Sequence, residues 1–185
     1  MTFHQASTLI QQEIAAALAA VDGDKAAALA QAVMAADQVF LIGVGRVLIS
    51  LKAMCKRLNH LGVRAWCVGD LNEGAITEKD LLIVGSGSGE TAVPLQIARI
   101  AKTYGAAVVH IGSNPESSLA HYTDLFVRIP VRTKLNREEE IDSAQIMSSL
   151  FEQSLYLLCD SICLMIADEK QLDIKSLWRC HANLE

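Results

Sequence analysis

Short apolar runs, rich in β-branched residues, recur at 38–42, 64–68, 81–84, 107–111 and 125–129, and most stretches between them carry helical periodicity. Runs of this length read as buried strands. Strands that alternate with helices demand a parallel sheet covered on both faces. The expected fold class is therefore α/β: a three-layer αβα sandwich around a five-stranded parallel sheet. Residues 1–185 show no internal repeat, low-complexity linker or boundary, and so read as one domain.

The helices follow from local signals. Ser7-Thr8-Leu9-Ile10 opens a helix reaching about Ala20, and Asp24 is placed to cap a second one to about Ala36. Residues 47–61 form a third, stopped at Gly62, and a fourth runs from about Thr91 to Tyr104. Asn114-Pro115 opens a short helix. Residues 131–142 (VRTKLNREEEID) are polar and charged, a solvated loop that includes Glu138, Glu139 and Glu140. A long helix over about 143–169 and a short one over about 173–182 follow. The terminal helices, about 6–36 and 143–183, are expected to wrap the sheet.

Composition narrows the function classes. The chain is 51% hydrophobic with a net charge of −5. It lacks the basic patch that nucleic-acid binding requires. Surplus apolar content points to a homo-oligomer. Five cysteines, at 55, 67, 159, 163 and 180, have neither metal-ligand spacing nor the even count of a disulfide scaffold. Cys159 and Cys163 read as small buried hydrophobes. The apolar helix near 155–167 carries Asp160 and reads as too short to span a membrane. With no signal-like start at MTFHQASTLIQQE, the expected location is the cytoplasm.

Ligands of open parallel sheets bind beyond the carboxyl ends of the strands. Two strand-to-helix turns are glycine-rich there. Gly43-Val44-Gly45-Arg46 fails the dinucleotide fingerprint, because Leu48 stands where a third glycine is needed. Gly85-Ser86-Gly87-Ser88-Gly89-Glu90-Thr91 lacks the Gly-Lys-Ser/Thr of a triphosphate loop. A smaller phosphate remains. Glycines let backbone N–H groups converge on an anion, the helix N-terminus adds its dipole, and Ser86, Ser88 and Thr91 supply neutral hydroxyls. The bland alternative is a turn with Ser88 as helix cap and Glu90 as a first-turn charge.

GSGSGET at 85–91 resembles the phosphate loop of the sugar isomerase (SIS) domain. The resemblance to the 6-phospho-3-hexuloisomerase family spans almost the whole chain: GVGR at 43–46, KRLNHLG at 56–62, VGD at 68–70, NPESS at 114–118, MSSLFEQ at 147–153 and HANLE at 181–185. It implies a five-stranded parallel sheet, a homotetramer, no metal or organic cofactor, and a sugar-phosphate substrate. The implied reaction interconverts 3-hexulose 6-phosphate and fructose 6-phosphate. Ser86, Gly87, Ser88 and Thr91 would bind the phosphate, and Glu152 and His181 would be the acid/base groups. Val47 and Leu48 stand where the family carries Ser-Gly, and Glu73-Gly74-Ala75 where it often carries Thr-Pro-Pro. Both departures are expected to border the sugar.

Moving a carbonyl between adjacent carbons passes through an enediol. It needs one base that shuttles a proton between carbons and one donor that serves the oxygens. Glu152 suits the base: Gln145, Ser149 and Glu152 form one polar stripe at helical spacing, opposite Met147, Phe151, Leu158, Ile162 and Met165. His181, in the polar tail, titrates near neutrality. His60 reads equally as a sugar contact or a helix C-terminal charge. Arg46, beside Gly45, reads equally as a ligand contact or an interface pair. His110, within a strand, reads as structural. An aldose–ketose isomerase and a non-catalytic sugar-phosphate sensor remain as alternatives.

Overall fold

Alternation along the strands divides the interior in two. In β1 (Val39–Ile42), Val39 and Leu41 join one apolar cluster, while Phe40 and Ile42 join another across the sheet. In β3 (Leu81–Gly85), Leu81 and Ile83 face the first cluster and Leu82 and Val84 the second. A strand buried on both faces has to be apolar throughout. The computed structural model describes residues 1–135 and 137–180. Five parallel strands stand in the order β2-β1-β3-β4-β5, with β2 at Ala65–Cys67, β4 at Ala107–Gly112 and β5 at Leu125–Arg128.

One face is covered by α2 (Gly23–Ala35), α3 (Arg46–His60) and α5 (Ser149–Glu169), with α1 (Phe3–Ala19) packed on α5. The other carries α4 (Ala92–Thr103) and a 3-10 turn at Ser118–Tyr122. This is the three-layer αβα sandwich anticipated above. Cys159 and Cys163 are buried in the α5 core.

Several boundaries differ, each for a local reason. Helix α1 starts four residues before Ser7, because Thr2 and Gln5 form a capping box. Asp22, not Asp24, caps α2: its Oδ1 accepts from the amides of Asp24 (2.9 Å) and Lys25 (3.2 Å). The segment after Asn114 becomes helical only at Ser118, as a 3-10 turn, and 174–180 is also 3-10.

The largest correction is α5, which begins at Ser149 rather than about 143. Glu13 of α1 captures the preceding segment, accepting from the Ser143 hydroxyl at 2.6 Å, the Ala144 amide at 2.9 Å and the Gln145 side chain at 3.0 Å. Met147 then adopts a left-handed φ of 54°, which breaks helical continuity. Gln145 therefore shares no helical stripe with Glu152, and Met147 is exposed rather than part of an apolar face. At 21 residues, α5 is long and apolar enough to cross a bilayer, contrary to the sequence reading. Here Leu155, Ile162 and Ile166 are fully buried in the core under α1, α2 and α3.

Candidate functional site

In the strand order 2-1-3-4-5 the chain direction across the sheet reverses between β1 and β3, and such a switch point opens a crevice. The turns after β1 and β3 meet there. Val44 and Val47 from the first turn face Ser86, Gly87, Ser88 and Thr91 from the second across a cavity of about 150 Å³. The first turn of α5 adds Ser148, Phe151 and Glu152. Sites for drug-sized ligands run about 300–1,000 Å³, so this one suits a small polar group.

The second turn is a rigid, inward-looking nest. Ser86 and Ser88 are 4% and 5% exposed. The Ser86 hydroxyl accepts from the Gly89 amide at 3.1 Å and lies 3.3 Å from the Thr91 hydroxyl; Ser88 Oγ accepts from the Glu90 amide at 3.3 Å. The Gly87 carbonyl accepts from the Ser113 and Asn114 amides (2.9 and 3.2 Å), turning the peptide plane away from the cavity. The Gly87 and Ser88 amides donate to no acceptor among the described residues. Gly89 is required twice over: its φ is +66°, and a Cβ would lie 2.2 Å from Ser117 Oγ.

His110 anchors the turn from beneath. It is 1% exposed, and its Nε2 donates to the Ser86 carbonyl at 2.8 Å, which assigns the tautomer. Burial pushes its pKa from 6.5 down to about 4 and outweighs the opposite pull of that carbonyl. The imidazole is therefore neutral near pH 7, and structural, as its strand position suggested.

Helix ends supply the electrostatics. Helices α1 and α2 carry side-chain N-caps, Thr2 and Asp22. Helices α3, α4 and α5, which reach the cavity through Val47, the cap residue Thr91 and Phe151 with Glu152, have none. Each uncapped N-terminus presents unpaired N–H groups and about half a positive charge. Three such ends border one small cavity, an arrangement whose polarity suits an anion.

Glu152 sits at its rim. Its side chain is 16% exposed and ion-paired with Arg46, which is 64% exposed. Ser50 of α3 donates to the Glu152 carbonyl at 3.0 Å, tying α3 to α5 there. Arg46 also lines a neighbouring apolar groove of about 440 Å³, with Ile49, Tyr156 and Leu157 on its walls, and Glu152 lines both spaces. The site thus brings together Ser86, Gly87, Ser88, Thr91 and Glu152, and Arg46 joins through its ion pair. Gly45 adjoins them as the residue preceding α3, at a φ of +61°.

His60 lies elsewhere. It ends α3, about 20 Å along the axis from Arg46 at 1.5 Å per residue, and is buried with Nδ1 3.3 Å from an Arg57 nitrogen. His181 is outside the described residues. Of the family departures, Val47 borders the cavity, whereas Glu73, Gly74 and Ala75 line a separate space beside α4. Glu90 is not a first-turn charge of α4: its carboxylate accepts from the Ser118 amide at 2.7 Å, and the Ser118 hydroxyl and amide hold it below the usual carboxylate range. Among the described residues, no three His, Cys, Asp or Glu side chains stand close enough to hold a metal ion.

Sequence reasoning missed Thr133 and Lys134, which line the cavity, and Glu140, which is 5% exposed rather than solvated. The polar run 131–142 hid them. The available signal was the pair of apolar residues, Val131 and Ile141, that bracket the run.

A small polar crevice at the switch point, walled by a serine-glycine turn, defines an open parallel α/β domain of the kind that binds ligands beyond its strand ends. Residues 32–157 match the SIS domain, and the chain belongs to that family. It is 36% identical over 176 residues to the 3-hexulose-6-phosphate isomerase of Bacillus subtilis, covering 95% of each chain. It is also 36% identical to the enzyme of that name from Mycobacterium gastri, covering 96% of this chain and 89% of that one. A protein of Methanococcus jannaschii with an inferred 3-hexulose-6-phosphate isomerase function has the same fold, with a TM-score of 0.83 at 24% identity over 98% of this chain and 99% of that one.

Proposed function

We propose that this chain is a cofactor-independent phosphosugar isomerase that interconverts 3-hexulose 6-phosphate and fructose 6-phosphate through an enediol. The observation that carries the reading is the convergence of three uncapped helix N-termini on a cavity that also holds Glu152. The names of the relatives from B. subtilis and M. gastri support 3-hexulose 6-phosphate as one of the two sugars.

The phosphate is assigned to the Ser86–Thr91 turn. Holding it orients the far end of the sugar toward the rim. Glu152 removes the proton from C2 of the 3-ketose and returns it to C3; His181 moves protons between the two oxygens. Arg46, released from Glu152, is free to pair with a substrate oxygen. General acid/base help of this kind contributes on the order of 100- to 10,000-fold. The functional unit is taken as residues 1–185 in a soluble cytoplasmic homotetramer, with no metal, nucleic-acid or membrane partner.

Val47 at the cavity wall favours one second reading, an aldose–ketose isomerase acting on a different sugar phosphate. Incubation with fructose 6-phosphate in deuterated water separates the possibilities. Deuterium entering at C3 is the expected result. Deuterium at C1 alone indicates the aldose–ketose enzyme, and tight binding with no exchange indicates a sensor.

A further inference from the structure

The loop over 131–141 closes on itself. Val131 and Ile141 form a β-bridge, the Arg132 amide donates to the Ile141 carbonyl at 2.8 Å, and the Ile141 amide donates to the Pro130 carbonyl at 2.8 Å. Glu140 points into this closed base. Its Oε1 accepts from the Ser113 hydroxyl at 2.5 Å and its Oε2 from the Thr133 amide at 3.4 Å. No ion pair involves it among the described residues. A buried carboxylate that meets only neutral donors serves to place those donors.

Both lead to the phosphate cavity. The Ser113 amide donates to the Gly87 carbonyl at 2.9 Å, so the loop and the serine-glycine turn hang on one residue. Thr133 and Lys134 line the cavity, with the Thr133 methyl packed against Gly87 of that turn. Thr133 is 9% exposed, and its Oγ1 is buried without a hydrogen-bond partner. A buried hydroxyl left unpaired is costly unless a ligand completes it. The ammonium on the next residue is a matching donor for a phosphate oxygen.

We propose that Glu140 is a positioning residue of the phosphate site, fixing the strap 131–134 so that the Thr133 hydroxyl and the Lys134 ammonium close on the same anion as Ser86, Ser88 and Thr91. The proposal rests on the phosphate reading of the cavity and deepens it.

Calorimetric titration of the full-length protein with fructose 6-phosphate and with inorganic phosphate tests it without requiring turnover. Glu140→Ala is expected to weaken both ligands about tenfold, because the strap that aims the Lys134 ammonium and the Thr133 hydroxyl at the anion loses its anchor. Added to the Thr133→Ala/Lys134→Ala pair, it is expected to cost no more than about twofold further, because coupled residues are not additive. Glu140→Gln is expected to retain affinity within about twofold. Its carbonyl can take the Thr133 amide, and its NH₂ can donate to Ser113 Oγ, whose own proton turns to the Val131 carbonyl 2.8 Å away. Wild-type affinity in Glu140→Ala, a multiplicative loss in the combined variant, or an equal loss in Glu140→Gln overturns the proposal. Should Glu140→Ala fail to fold, Glu140→Asp, too short to bridge both donors, serves instead: several-fold weaker binding is expected, and unchanged binding is fatal. Intact phosphate binding without C3 exchange removes the isomerase reading and leaves this one standing. A wild-type protein that binds neither ligand overturns it.

Discussion

Glu152 is the residue on which turnover is proposed to depend, and its position is set by neighbours rather than by itself. Ser50 fixes its backbone and Arg46 its carboxylate. Glu152→Gln keeps the shape and removes the proton acceptor. It is expected to lower kcat by about 100-fold or more while phosphate-ester affinity changes only a few-fold, in steady-state kinetics and titration. His110 carries a second expectation. Its pKa falls from 6.5 to about 4 on folding, so between those values the unfolded chain binds the extra proton and the folded one does not. Stability from this source is complete above pH 6.5 and drains away as pH falls toward 4, by an amount on the order of 3 kcal/mol. Denaturant unfolding across that window should show it, and His110→Gln should flatten the slope. The serines of the turn were singled out because they alternate with three glycines between a strand and a helix, and the fold gathers them at the switch-point cavity. Glu140 was not, because its partners Ser113 and Thr133 become neighbours only through the fold.

At the scale of elements, the strands were readable from apolar runs, and the helix bodies from periodicity. The start of α5 was not, because Glu13, far away in the chain, holds 143–145 out of the helix. Thr2 and Asp22 illustrate the converse: both caps are local signals present in the sequence and passed over. The fit between strap and turn yields a further test. A Cβ at Gly87 would lie 2.9 Å from the Thr133 methyl and 3.5 Å from the Phe151 ring. Gly87→Ala is therefore expected to push the strap off the cavity. Affinity for fructose 6-phosphate should fall about tenfold, and overpacking should cost about 1–3 kcal/mol in stability, seen by titration and thermal unfolding.

For the whole molecule, one group of exposed apolar side chains gathers on α3 and α5. Ile49 is 65% exposed on α3, and Leu164, Tyr156 and Leu157 are 63%, 42% and 39% exposed on α5. Ile49, Tyr156 and Leu157 line the groove that borders Arg46, and Leu164 follows two helical turns beyond Leu157. A patch of this kind supports the proposed self-association. Leu164→Asp is expected to lower the mass found by light scattering, with the wild type remaining oligomeric. A wild-type monomer would refute that assembly.

The bare ends of α3, α4 and α5 also bear on how the protein survives between catalytic cycles. A phosphate ester bound there, as proposed, would finish three helices at once and hold only the folded form. At a hundredfold excess over Kd, that linkage is worth about 2.7 kcal/mol. On that reading, heat tolerance should rise and fall with the surrounding pool of phosphorylated sugar, and metabolite abundance would set how long the folded chain lasts.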